Sequence, residues 1–144
     1  MSLLSALSVS ASGMAAQRTR AEVLVENIAN SETTRTAQGG PYRRKDAIFS
    51  SQSVPSAFQS ELDSELSGLQ GVSVTGIAVD TREPERRYMP GHPDADPNGY
   101  VSMPRVNPAE DMVDLMGASR SYEANVSAIS AVKDMIQRSI DLLR

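Results

Sequence analysis

The sequence predicts an α+β protein in which long amino- and carboxy-terminal α-helices pair as a coiled-coil-like domain and a small β-rich or irregular segment fills the middle. Two observations carry this. The first is where the helix breakers fall. Residues 2–30 contain no Pro and one Gly, and residues 31–107 hold seven of the eight Pro and seven of the nine Gly. Residues 108–144 keep one of each, Pro108 and Gly117. An interior Pro costs a helix about 3 kcal/mol and a Gly about 1 kcal/mol, so the ends are permitted to be helical and the middle is not. The second is a seven-residue apolar repeat at both ends, the period of a helix that packs along another helix. Residues 1–31 and 105–144 are thus expected to form one discontinuous helical assembly domain, and 32–104 a Pro/Gly-rich insert.

In the amino-terminal helix Leu4, Ala11, Arg18 and Val25 fall on one row, and Leu7, Met14, Ala21 and Ile28 on its neighbour. Only Arg18 interrupts the stripe, and the small residues suit close approach of a partner. Ser2 or Ser5 can cap the start, and Asn30 offers a stop in the left-handed conformation that Asn tolerates. The carboxy-terminal helix announces itself with Asn107-Pro108-Ala109-Glu110, a capping Asn, a Pro at the first helical position and an acid at the third. Leu115, Tyr122, Ile129, Ile136 and Leu143 then recur every seven residues, with Met112, Ser119, Val126, Lys133 and Ile140 as companion row and Met116 and Val132 widening it. At 1.5 Å per residue these helices would run roughly 40 and 54 Å.

Between them, Val72, Val74, Ile77 and Val79 suggest an extended hairpin arm broken at Gly76, and Arg86–Met89 and Tyr100–Met103 read as short strands. Residues 90–99 are turn material. Ser50 to Ser60, with five Ser and one Pro, reads as the flexible stretch, and a short helix fits Glu61–Leu69.

The chain is lean for a self-sufficient globule: 144 residues, 4% aromatics and no Trp. Two long amphipathic helices bury only part of their apolar surface on each other, so the expectation is an assembly in which neighbouring subunits supply the rest. No Cys excludes disulfides, thiolate metal sites and a thiol nucleophile, and a single His excludes a two-histidine metal site. A net charge of −4 lacks the basic footprint of a nucleic-acid binder. No apolar run reaches the 18 residues that suggest membrane insertion. Met1–Leu7 lacks the basic start of a cleaved secretory signal.

One run has the look of chemistry. Asp94-Ala95-Asp96-Pro97-Asn98-Gly99 matches the opening of a calcium loop, but the bidentate Glu such a loop needs twelve residues from its start is Arg105. His92 with Asp94 and Asp96 defines the alternative reading, a small metal-binding protein or enzyme, although Pro93 and Pro97 disfavour the regular strand that would align them. The Arg43-Arg44-Lys45 triplet and the mixed charges of Arg82–Arg87 read as solvated or inter-subunit ion-pairing faces. No enzyme, cofactor or metal is expected.

Ser12-Gly13-Met14-Ala15-Ala16-Gln17-Arg18, followed by Glu26-Asn27-Ile28-Ala29-Asn30 and the Thr-containing turn at Thr33-Thr34, resembles the amino-terminal signature of the flagellar rod, hook and related axial proteins. Pro41-Tyr42-Arg43-Arg44-Lys45-Asp46 with Ile48-Phe49 narrows the resemblance to the proximal rod proteins. So do His92-Pro93-Asp94-Ala95-Asp96 with Gly99-Tyr100-Val101, and Ala118-Ser119-Arg120-Ser121-Tyr122-Glu123-Ala124-Asn125. The Thr-Pro-Gly-Tyr turn that commonly follows the Asn-X-Ala-Asn tetrad of hook and distal-rod members is missing here, Pro and Tyr coming only at 41 and 42. The resemblance implies a non-enzymatic subunit of the shaft that carries motor rotation across the periplasm. It further implies export without a cleaved signal by the flagellar type III apparatus, and partners that are copies of itself and other rod proteins. On this reading the loop at His92 is a contact or fold-stabilising element. The remaining alternative is an adaptor of the export apparatus that never enters a shaft.

Overall fold

The computed structural model describes residues 3–53 and 70–142. Helix α1 spans Leu3–Ala29, strands β1 to β4 span Lys45–Ser53, Gln70–Val79, Glu85–Tyr88 and Tyr100–Met103, and helix α2 spans Pro108–Asp141. The two helices pack together, the β1–β2 hairpin lies on α1, and β3–β4 form a second two-stranded antiparallel sheet.

Helix α2 begins as its sequence dictates. Asn107 sits in an extended conformation and its side-chain oxygen accepts from the Ala109 amide at 3.2 Å, with Pro108 at the first helical position and Glu110 and Asp111 in the first turn. Those groups satisfy or complement unpaired amides at the positive end of the helix dipole. Helix α1 ends at the predicted place by a different device. Among the described residues no non-glycine has a positive φ, so Asn30 does not take the left-handed conformation. Its side-chain amide donates to the Glu26 carbonyl at 2.9 Å, and the Ser31 hydroxyl donates to the Ile28 carbonyl at 2.8 Å. These side-chain donors add to the backbone amides of Asn30 and Ser31, which reach the same carbonyls at 3.1 and 3.2 Å, so the last turn is closed without a left-handed residue.

The hairpin corrects two expectations. Gly76 does not break the arm: β2 is continuous, and the pairing shifts between Ile48↔Gly76 and Phe49↔Val74, leaving Thr75 as a bulged residue. Ser50–Ser53, read as part of a flexible stretch, are strand residues opposite Ser73–Gln70. The rest of that stretch and the helix suggested at Glu61–Leu69 lie outside the described residues. The Val72 amide donates to the Ser12 hydroxyl at 3.1 Å, which ties the hairpin to α1. Near the other end of the hairpin the Asp80 amide donates to the Arg44 carbonyl at 2.8 Å.

In the second sheet Tyr88 pairs with Tyr100, ring centroids 5.3 Å apart in an edge-to-face arrangement, and Val101 is almost wholly buried. The loop before it folds over Gly99, whose φ of +78° puts a notional Cβ 2.8 Å from the Tyr88 ring. Gly99→Ala therefore meets both a left-handed backbone and a ring that must move. It should lower stability by about 2 kcal/mol, read as a drop in the thermal unfolding midpoint.

Candidate assembly interface

The two helices meet in antiparallel sense. Gly13 of α1 lies against the Asn125 side chain of α2, and Arg20 pairs with Asp114 at 3.5 Å, so contacts climb one helix as they descend the other. A Cβ on Gly13 would stand 3.2 Å from both amide heteroatoms of Asn125. This is a close approach that glycine permits. Gly13→Val should wedge the helices apart at a cost of about 2 kcal/mol, seen as loss of far-UV helical signal at lower urea.

The buried face of α1 consists of Ala16, Val23, Leu24 and Asn27, and that of α2 of Asp111, Ala118 and Val132. On α2 these fall, with Asn125, on a single seven-residue row. The sequence-derived row Leu115, Tyr122, Ile129, Ile136 flanks it: Leu115, Ile129 and Ile136 are half-buried and Tyr122 is exposed. The companion row expected at Met112, Val126 and Ile140 is exposed throughout, as are Met116, Ser119 and Lys133. On α1, Leu7, Met14, Ala21 and Ile28 are half-buried, while Ala11 and Val25 are exposed. Leu143 lies outside the described residues, and the Leu4 side chain is not among those described. Seven-residue spacing fixes a stripe but leaves open which adjacent row, three or four residues away, completes it. Hydropathy favours the row of Met112. The chain's own α1 instead takes the row of Asp111, where small Ala118 allows approach, Asp111 meets Arg44, and Asn125 donates to the Ser121 carbonyl of its own helix.

Residues 42–45, which lead from the turn after α1 into β1, partner the buried polar side chains Asn27 of α1 and Asp111 of α2. Asn27 is 0% exposed and makes three hydrogen bonds to this stretch. Its Nδ2 donates to the Lys45 carbonyl at 2.8 Å, while the Tyr42 hydroxyl and the Lys45 amide donate to its Oδ1, each at 2.9 Å. Lys45 Nζ pairs with Glu26 and stands 5.8 Å from the Tyr42 ring centroid. Burial, reinforced by the charges of Glu26 and Asp111, pushes the Tyr42 hydroxyl up to about 12, so it stays a donor.

From the same stretch Arg44 reaches α2, with Nη2 2.9 Å from Asp111 Oδ1 and Nε 3.4 Å from Asp46. Asp111 is 0% exposed, and neither of its oxygens receives an aligned hydrogen bond, so the contact is one of charge. Burial raises the Asp111 carboxyl above its ordinary range, with Arg44 opposing and Asp46, Asp114 and Glu110 adding to the rise. The triplet at 43–45 is therefore solvated only at Arg43. Arg44 and Lys45 are bound within the chain, and Arg43 donates to the Asp80 carbonyl at 3.2 Å. Arg82, itself exposed, is clamped on Asp80, and Glu85, Arg86 and Arg87 are exposed as well.

The remaining motif residues are structural in their contacts. Thr34 donates to Asp94 at 2.8 Å, docking the 90–99 loop on the turn that follows α1. The Asp94 amide donates to His92 Nδ1 at 3.1 Å, and the Asp96 amide to the Tyr100 carbonyl at 2.8 Å. Pro93 is exposed and Pro41 half-buried. Ser121 donates to the Gly117 carbonyl at 2.9 Å and Asn125 to that of Ser121 at 2.9 Å, while Arg120 and Ala29 face outward. Among the described residues no group of three acidic, His or Cys side chains is placed to hold a metal. A groove of about 290 Å³ between α1, α2 and β1 is lined by Val23, Leu24, Ala47 and Phe49 together with the charged Arg20, Lys45, Asp46 and Asp114.

The structure is thus an antiparallel pair of terminal helices, with apolar residues of α2 left exposed, bound to a small β insert by the stretch that follows α1. Residues 98–142 match the family described as flagellar basal body rod FlgEFG protein, C-terminal. The whole chain is similar to the flagellar basal-body rod protein FlgC of Bacillus subtilis, 42% identical over 99% of both chains. It is also similar to that of Borreliella burgdorferi, 39% identical over 100% of this chain and 99% of the relative, and to that of Salmonella typhimurium, 36% over 99% and 98%. The chain belongs to the FlgC family of flagellar basal-body rod proteins and is a structural subunit of the proximal rod. No described helix is long and apolar enough to cross a membrane.

Proposed function

We propose that the uncovered apolar rows of α1 and α2 are the surfaces through which this subunit packs against copies of itself and other rod proteins, and that the packed shaft transmits motor torque. The observation that carries the reading is the α2 surface. Met112, Met116, Val126 and Ile140 are exposed on a helix whose other face is already taken by α1. Full burial of such a side chain is worth roughly 1.5–3 kcal/mol, so half-covered residues in several copies make a sizeable driving force. On this reading residues 1–31 and 105–144 are the assembly domain and 32–104 an insert that holds the helix pair in shape. Helices whose burial is completed by neighbours reach full order on assembly, which suits passage through the type III export apparatus in an unfolded state. The role is structural and has no catalytic step.

Val126→Asp tests the surface, because Val126 is exposed before assembly and its loss leaves the pairing face intact. The purified chain should keep its circular dichroism spectrum, while cells carrying the variant lose swimming and their purified basal bodies lack the subunit. Ile129→Asp and Ile136→Asp, at the margin of the seam, should block incorporation as well, since an unpaired buried charge costs several kcal/mol. Normal basal bodies with all three variants would sink the proposal.

A further inference from the structure

The face by which α2 meets α1 repeats every seven residues, as Asp111, Ala118, Asn125 and Val132, and small or aliphatic members such as Ala118 and Val132 fit more than one alignment. A slip of one heptad, about 10 Å along the axis, would replace one row member by the next. Apolar packing alone discriminates weakly between such alignments, and a polar group at one position of a seam is the known way to select one at a cost in stability. Arg44 and Asp111 have those attributes. The carboxylate is fully buried, the guanidinium nitrogen is 2.9 Å away, and neither Asp111 oxygen nor Arg44 Nε has an aligned hydrogen bond. Such a pair returns little net stability and is often replaceable by apolar groups. Its placement is informative, however. Arg44 is flanked by Tyr42 and Lys45, both fixed to Asn27 near the end of α1, so its position reports where α1 stands. Asp111 lies in the first turn of α2. In an alignment slipped by one heptad Asp111 would be carried about 10 Å along the axis and away from its cation.

We infer that the Arg44–Asp111 pair sets the register of α2 on α1, selecting the observed alignment over those slipped by one heptad. The inference rests on the rod reading only for its use, which is to present the outer rows of both helices at matching heights. The register itself is a property of one chain, so its failure is separable from failure of the assembly proposal.

The chain contains no Cys, so engineered thiols report cleanly. In the full chain, purified and oxidised at low micromolar concentration, R20C/D114C reports the observed register. R20C/S121C reports one slipped by seven residues, and both remove the Arg20–Asp114 pair that would otherwise assist. With Arg44 and Asp111 present, the first intrachain disulfide should form at least about tenfold faster than the second. In an R44M/D111L background the two rates should converge to within about threefold with helical content retained, and the reversed pair R44D/D111R should restore the preference. An unchanged preference in R44M/D111L, no preference with the native pair, or loss of helical content in R44M/D111L would each overturn the inference.

Discussion

Asn27→Ala should lower the stability of the chain by about 3 kcal/mol, more than any single truncation of a helix-face aliphatic. The side chain is small, so the effect is not a matter of volume. Its carboxamide serves three groups of residues 42–45: the Lys45 carbonyl, the Lys45 amide and the Tyr42 hydroxyl. Removing it leaves all three without their partner, at about 1–3 kcal/mol each when water cannot enter and less where it can. Asn27→Leu separates the two accounts. It restores volume and apolar character but supplies no donor or acceptor, and it keeps water out, so it should be no more stable than Asn27→Ala. Urea denaturation of the three proteins gives the ranking, and hydrogen exchange gives the location, because the Lys45 amide should pass from protected to fast-exchanging. A leucine variant clearly more stable than the alanine variant would mean that packing, not hydrogen bonding, holds this corner.

What could be read from the sequence follows from the range of the forces involved. Helix ends and strand positions rest on local chemistry, and Asn107, Pro108 and the β-branched run at 72–79 disclosed them. Asn27 was visible only through its place in a family-like tetrad, since nothing in a lone buried Asn says that its partners lie fifteen and eighteen residues away. Asp111 was invisible. A scan for apolar residues passes over an acid, and the cation that makes its burial tolerable belongs to a basic triplet that looks solvated. The same blindness shifted the pairing face of α2 by one row, from Met112 to Asp111. The row of Met112, Val126 and Ile140, which hydropathy picks out and the chain's own fold leaves exposed, is one the rod reading assigns to neighbours.

Arg44→Met should be as damaging as Asn27→Ala at neutral pH, about 3–5 kcal/mol for stranding a buried carboxylate, and its effect should nearly vanish in acid. Asp111 titrates above the ordinary carboxylate range because of its burial, and Arg44 is the influence that opposes the rise. Without Arg44, burial and the charges of Asp46, Asp114 and Glu110 all push the same way. A carboxyl whose folded-state pKa is raised contributes stability that is fully present below its unfolded value, near 4, and is lost as pH climbs through the folded value. The variant should therefore approach the parent near pH 4 and fall away from it towards pH 7, the reverse of ordinary acid denaturation. Asp80, held down to about 2 by hydrogen bonds from Arg82, is ionised in the folded state across that window, and its contribution is common to parent and variants and cancels from their differences. Urea midpoints from pH 4 to 8 for the parent, Arg44→Met and Arg44→Met with Asp111→Asn decide the matter. The double variant has no buried charge to strand, so it should fall away from the parent much less between pH 4 and 7. If the single variant's deficit is the same at both ends of the range, Asp111 is not the charge that Arg44 neutralises.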